Sequence, residues 1–225
     1  MPLSAKEVTD RLWDGRSEIR DSHTICVVPI PNVVDVRKKN ATALDLRLGR
    51  WFRSMRLTKV TELAVGDSRH EESISAEHYV RFNDHFVLHP SQFVIGITLE
   101  WLKFPINISG YVTGKSSWGR RGLIIETAAG IHPGFTGCLT LELANVGTTP
   151  IKLSPGMQIC QIFFHHVDNR ERGATTQFVG YRKPGLGRVA KDQVQEALSK
   201  PYFEPSKVSA SGDPTVSPVE DTKEK

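Results

Sequence analysis

Two polar clusters hold residues whose types and spacing could do chemistry. The first is Gly114-Lys115-Ser116-Ser117-Trp118-Gly119-Arg120-Arg121-Gly122. Glycines let a backbone approach a ligand, hydroxyls and amides bind phosphate oxygens, and Lys115, Arg120 and Arg121 supply positive charge. The Walker A order G-x-x-x-x-G-K-[ST] is absent, so two readings are open: another kind of phosphate cradle, or a solvent-exposed basic turn. The second cluster runs from Ala129-Gly130-Ile131-His132-Pro133-Gly134 through Phe135-Thr136-Gly137 into Cys138-Leu139-Thr140-Leu141-Glu142-Leu143-Ala144-Asn145. Strand alternation puts Leu139, Leu141 and Leu143 on one face and Cys138, Thr140, Glu142 and Ala144 on the other. Glu142 is the acid within that apolar strand. On a closed face, loss of water would raise its pKa and suit it to proton transfer; on an open face it is a surface carboxylate.

Three smaller features stand beside these. Asp45, between Leu44 and Leu46, is an acid in another apolar run, placed to cap a turn, pair with a base or touch a ligand. His165 and His166 are adjacent at a strand end, so their rings point to opposite faces and cannot share a metal by themselves. His70 with Glu71 and Glu72 reads as a polar loop.

The elements that must position these residues are short strands. From Thr24 to His165 the chain alternates between apolar or alternating runs (TICVVPI, ALDLRL, HYVRF, FVIGITLEWL, ISGYVTG, CLTLELANV, QICQIFF) and Gly, Pro, Asn or Ser punctuation. That texture predicts an all-β sandwich or barrel. His89-Pro90-Ser91-Gln92 and Ser154-Pro155-Gly156-Met157 read as tight hairpin connections between flanking strands. Before this region, Ser4-Ala5-Lys6-Glu7 is a capping box with Val8, Leu12 and Trp13 on one face, predicting a helix that ends near Gly15. After it, Val189 to Ser199 is amphipathic enough for a last short helix, and the Pro-, Ser- and charge-rich segment from about residue 205 reads as a disordered tail.

Composition bounds the rest. The 225 residues, 39% hydrophobic and 24% charged, suit one globular domain with appendages. A net charge of +4 is a mild excess spread along the chain. No stacking aromatics interleave with the basic residues, which argues against nucleic acid as a partner. Cys26, Cys138 and Cys160 form neither a C-x-x-C pair nor an even disulfide set, which fits a reducing cytoplasm. No run approaches the roughly 18 apolar residues of a membrane span, and the N-terminus lacks a signal-peptide core.

Taken together, these segments resemble the trimeric dUTPase superfamily, and more closely its dCTP deaminase branch, from about Leu3 to about Arg188. ATALDLRLG is similar to the family's first conserved strand and FVLHPSQFVIGITLEWLKFP to its hairpin before the active-site loop. GKSSWGRRG resembles the phosphate and catalytic loop, AGIHPGFTGCLTLELAN the substrate hairpin, and PIKLSPGMQICQIFF the closing hairpin. The resemblance implies a mainly β fold, a distorted β-barrel or jelly-roll-like sandwich with a short N-terminal helix and a C-terminal arm. It also implies a homotrimer whose active sites are shared between subunits. The domain is then residues 1–188 including the arm, with 189–204 a short helix and extension and 205–225 the tail.

The implied reaction is hydrolytic deamination of dCTP to dUTP and ammonia. Glu142 falls at the deaminase Glu; it would take a proton from water and deliver it to the departing amine. Ser116 and Arg120 would orient water and base, the Ala129 carbonyl would accept from the cytosine amino group, and Lys115 and Ser117 would contact phosphate. Gln161, Phe178, Arg182 and Lys183 complete the implied substrate contacts. The zinc-deaminase signature, H-x-E followed by P-C-x-x-C, is absent, so the implied chemistry uses no catalytic zinc, and Mg²⁺ enters with the triphosphate. His132 stands where both enzyme types carry Asp, beside the deoxyribose. The arm reads Gln177-Phe178-Val179-Gly180-Tyr181 where deaminases carry K-Y-x-x-Q. Two alternatives therefore stand beside a dCTP deaminase: a bifunctional deaminase/diphosphatase giving dUMP, and a catalytically altered deoxynucleotide-binding protein.

Overall fold

The structure, a computed structural model, describes residues 1–20, 23–39, 41–57, 59, 71–126, 130–168, 179–187 and 193–198. Ala129, Phe178, His70 and the expected tail lie outside the described residues. The chain divides into two compact units, Met1–Val189 and Ala190–Lys225, and the described part of the second is a helix at Gln193–Leu198.

Helix α1 (Ala5–Arg11) starts where the capping box predicts. The Ser4 hydroxyl accepts the Glu7 amide at 3.2 Å, and the Glu7 carboxylate accepts the Ser4 amide at 2.8 Å. It ends at Arg11, short of Gly15, because the chain turns extended at Leu12 to exchange backbone hydrogen bonds with Ile25. Strand β1 (Cys26–Val28) follows. Helix α2 (Val33–Lys39), absent from the sequence reading, begins where the Asn32 side chain accepts the amides of Val34 and Asp35.

The remaining strands are β2 (Ala43–Arg47), β3 (Trp51–Met55), β4 (Ser75–Tyr79), β5 (Phe86–Leu88), β6 (Phe93–Lys103), β7 (Ile108–Gly114), β8 (Leu123–Glu126), β9 (Gly130–Ile131), β10 (Thr136–Asn145), β11 (Ile151–Leu153) and β12 (Gln158–His166). Helical turns α3 (Glu71–Ile74) and α4 (Ser116–Gly119) interrupt them, and α5 is the helix of the second unit. One sheet has the order β4-β3-β6-β10-β8, with β1 also on β6; a second has β2-β12-β7-β9; β11 pairs with β5. The fold is mainly β, and among the described residues the sheets do not close into a barrel.

The core lies between these layers. Leu141 and Leu143 of β10, Phe52 of β3 and Val94 of β6 meet Leu44 and Leu46 of β2 and Ile162 and Phe164 of β12. Each such side chain contributes about 1.5–3 kcal/mol on leaving water. That is what fixes the alternation: with leucines inward, Glu142 and Asp45 are forced onto outer faces.

Both expected hairpins need correction. The turns His89–Gln92 and Ser154–Met157 form, each closed by a backbone bond (Gln92 N to His89 O, Met157 N to Ser154 O, both 3.2 Å). Yet β5 pairs with β11 rather than β6, and β12 pairs with β2 and β7 rather than β11. Each turn carries the chain around a corner between sheets, a choice of partner that local turn chemistry does not encode. Among the described residues no helix is long and apolar enough to cross a membrane.

Candidate active site

Glu142 stands at a fork. From Asn145 opposite Leu123 to Glu142 opposite Glu126, β10 and β8 form an antiparallel ladder. Beyond that pair they part: Gly130 and Ile131 join β7 in the other sheet, and the chain returns at Thr136 to pair with Lys103 of β6. Glu142 is exposed, between half-buried Thr140 and Ala144, so among the described residues its face is open. Nearer the strand start the alternation fails: a bulge between Cys138 and Thr140 leaves Cys138 and Leu139 both buried. The Thr98 hydroxyl spans this irregularity, accepting the Leu139 amide and donating to the Glu100 carbonyl, each at 2.9 Å.

The Lys115–Gly122 loop is fastened to the same hairpin. Gly122 has φ +87° and faces Gly147, where a Cβ would lie 2.7 Å from backbone; this contact between two glycines seats the loop beside the end of β10. Val146 N donates to Gly122 O at 2.9 Å, Lys115 N to Ile159 O at 3.0 Å and Trp118 Nε1 to Gln158 O at 3.0 Å. Since Leu123 opposes Asn145 and Gly122 meets Val146, the loop ends four residues from Glu142 along β10, about 13 Å of strand. Ser116, Ser117 and Arg120 are exposed. Among the described residues, the side chains of Ser116, Arg120 and Glu142 make no hydrogen bond or ion pair.

Lys115 turns the other way, to a partner that sequence reasoning weighed without assigning. Its Nζ lies 2.6 Å from Asp45 Oδ1 and 3.5 Å from Gln158 Oε1. Asp45 stands opposite Gln161, which stands opposite Thr113, so the three share a row across β2, β12 and β7. Asp45, Gln158 and Gln161 line a polar cleft of about 410 Å³ with Asn32, Asp35 and Arg47. Lys115 and Gln161 are thus brought together through Asp45. The available signal was an acid in a strand of otherwise buried leucines.

His132 is exposed on the turn between β9 and β10, with Phe135 N donating to its carbonyl at 3.2 Å. Buried Phe135 anchors that turn edge-on against Phe104. Arg182 and Lys183 are exposed on the arm, away from the Lys115 cluster. Arg182 lines a cleft of about 620 Å³ with Trp51, Tyr79, Trp101 and Cys138, while Lys183 Nζ sits 3.9 Å from the Trp51 ring centroid and 3.4 Å from Glu77 Oε2.

Three further ionisable groups, Cys138, Cys160 and Glu100, are buried. Burial pushes the thiols of Cys138 and Cys160 up to about 11 and about 12. Burial likewise raises Glu100 above the usual carboxylate range, with hydrogen bonds from Arg47 pulling part of the way back.

A profile of dCTP deaminase-like proteins matches residues 3–167. A dCTP deaminase of Natronomonas pharaonis is 36% identical over 159 residues, 67% of this chain and 80% of that protein. A dUMP-forming dCTP deaminase of Methanosphaera stadtmanae is 30% identical over 197 residues, 84% of this chain and 94% of that one. Among solved structures, the 2'-deoxycytidine 5'-triphosphate deaminase of Agrobacterium tumefaciens aligns at 27% identity and a TM-score of 0.43, covering 54% of this chain and 38% of that one. With a profile match running through the fork, the loop and the closing strand, the chain belongs to the dCTP deaminase-like family.

Proposed function

We propose that the chain hydrolyses the C4–amino bond of dCTP, giving dUTP and ammonia, with Glu142 as the proton carrier. The observation that carries this reading is the placement of Glu142 at the β8–β10 fork, on a polar face, with the Lys115–Gly122 loop seated on the same hairpin. Water adds its oxygen to C4 while the carboxylate takes one of its protons. The carboxylate passes that proton to N3, then takes the proton left on the added hydroxyl and delivers it to the amino group, which leaves as ammonia as the C4 carbonyl forms. Ser116 and Arg120 orient water and carboxylate, the Ala129 carbonyl accepts from the cytosine amino group, and Mg²⁺ arrives on the triphosphate. Lys115 and Gln161 hold phosphate from the Asp45 cleft; Ser117, Phe178 and Arg182 add contacts.

Because Glu142 is exposed and the loop's polar side chains do not reach it within one chain, the reading requires a second copy to close the face, as in a homotrimer with shared sites. Closure would remove water from Glu142 and make its basicity useful. Exposed Phe93 (40%) and Val146 (67%), flanking that face, suit burial against another subunit.

The second reading, conversion of dCTP to dUMP and pyrophosphate, is favoured by the dUMP-forming relative that the chain covers almost end to end. His132 opposes it, since phosphate hydrolysis would need an acid at that position. The test is chromatography after incubation with dCTP, dUTP, dCMP and CTP, each with Mg²⁺. dUTP and ammonia from dCTP alone support the deaminase; dUMP with pyrophosphate supports the second reading; no conversion of any of the four refutes both. If the missing acid is what limits the product to dUTP, His132→Asp raises the dUMP fraction.

A further inference from the structure

The C-terminal arm is tied to its own chain by contacts of four kinds. Gly180 N donates to Thr136 O at 2.7 Å and Cys138 N to Tyr181 O at 2.9 Å, so the arm adds strand-like pairing to the start of β10. That approach depends on Gly137: its φ is +142°, and a Cβ there would lie 3.2 Å from Gly180 N and 3.3 Å from Tyr181 N. Arg53 Nε donates to Pro184 O at 3.1 Å, while its Nη1 reaches Ser75 Oγ at 3.0 Å and its Nη2 Glu77 Oε1 at 2.6 Å. Lys183 lies over the Trp51 ring and against Glu77.

The place where the arm is held matters for the reaction. Arg53 stands opposite Ile95, which stands opposite Glu142, so the latch and the proposed base share one face of the sheet two strands apart, about 10 Å. Ile95 is only 5% exposed although it lies on this outer face. Between the arm and β3 opens the 620 Å³ cleft, with Arg182 as its cation on the arm side and Trp51 and Tyr79 opposite.

We infer that Arg53, Glu77 and Trp51 are positioning residues that latch the arm in cis over the sheet face carrying Glu142 and so fix Arg182 toward the nucleotide. This deepens the proposed function and rests on it for the identity of the nucleotide. Lys183 is then a fastener rather than a phosphate ligand. Arginine suits position 53 because three separate nitrogens of one planar fork face Pro184, Ser75 and Glu77, a spread that the single nitrogen of an ammonium does not offer.

The test uses the full chain and the variants Arg53→Met, Arg53→Lys and Glu77→Gln, with two readouts. Amide hydrogen exchange at Gly180 and Cys138 reports the latch independently of turnover, with Leu143 in the middle of β10 as the control. All three variants are expected to speed exchange at Gly180 and Cys138 about tenfold or more, the loss of a charge-assisted hydrogen bond, and to leave Leu143 unchanged. With dCTP they are expected to raise KM about tenfold and keep kcat within about twofold. Unchanged exchange at Gly180 and Cys138, or equal acceleration at Leu143, overturns the latch. Accelerated exchange with unaltered KM overturns its role in the reaction, as does wild-type behaviour of Arg53→Lys for the fork. A wild-type chain that turns over no dCTP refutes the function instead, and the exchange pattern alone then decides the latch.

Discussion

Replacing Arg47 by methionine isolates one buried charge. Glu100 reaches from β6 of one sheet to the end of β2 in the other: its carboxylate accepts the Arg47 amide at 2.7 Å and Arg47 Nη1 at 2.9 Å. The Glu100 side chain is 2% exposed, that of Arg47 40%. Arg47→Met keeps the aliphatic stem and the amide bond but leaves the carboxylate without its counter-charge. Breaking a buried pair costs about 3–5 kcal/mol; here the lost partner is well solvated and one hydrogen bond survives, so the expected loss at pH 7.5 is about 2–3 kcal/mol. Glu100→Gln removes the charge, keeps an acceptor for the amide and leaves an arginine that water can hydrate, so about 1 kcal/mol is expected. The pH dependence has a definite sign. Because burial raises the Glu100 pKa in the folded state, its stabilising contribution is complete below the unfolded value and is lost as pH rises through the folded value. Arg47→Met removes the guanidinium, which helps the surviving amide bond pull that pKa down, so its deficit widens from pH 5.0 to pH 7.5, whereas the Glu100→Gln chain has no such titration at this site. Urea unfolding at fixed protomer concentration measures both. Equal Arg47→Met deficits at the two pH values, or a larger loss in Glu100→Gln at pH 7.5, would show that no uncompensated charge is left on Glu100.

Two other outcomes follow from buried groups. Asn145, 1% exposed, donates from Nδ2 to the carbonyls of Leu88 and Thr149 and accepts the Gly147 amide at Oδ1. Asn145→Ala strands the buried Leu88 carbonyl and loosens the turn that seats Gly122, so a loss of about 2–3 kcal/mol in urea unfolding is expected, with activity falling as the loop is released. Cys26, Cys138 and Cys160 are all buried. With the Cys138 and Cys160 thiols pushed up to about 11 and about 12, native protein at pH 8 is expected to resist iodoacetamide at both and to react fully only when unfolded, as peptide mass spectrometry will show.

What the sequence made legible was local. The two-residue alternation of CLTLELAN placed Glu142 on a polar face, and Ser4 with Glu7 announced α1. The bulge at Cys138 was hidden, because an extra residue in a ladder depends on the partner strand. Helix α2 was missed because Val33, Val34 and Val36 favour strands and mask the capping signal of Asn32. The two corner turns looked like hairpins because their residues specify a reversal but not which strand is met afterwards. The site split the same way: the loop and the fork were readable as segments, whereas Lys115 meeting Asp45, 70 residues away, and Arg53 meeting Pro184, 131 residues away, are products of topology.

The proposed role of Glu142 as proton carrier in deamination can be tested directly. The most direct measurement is ammonia release from dCTP and Mg²⁺ by the wild-type chain and by Glu142→Gln, with dCTP affinity of both determined by calorimetry. The amide is nearly isosteric but cannot accept the proton, so turnover should fall by about 10²–10⁴ while the Kd for dCTP stays within a few-fold. Ammonia release by Glu142→Gln at a rate comparable to the wild type would rule out Glu142 as the proton carrier.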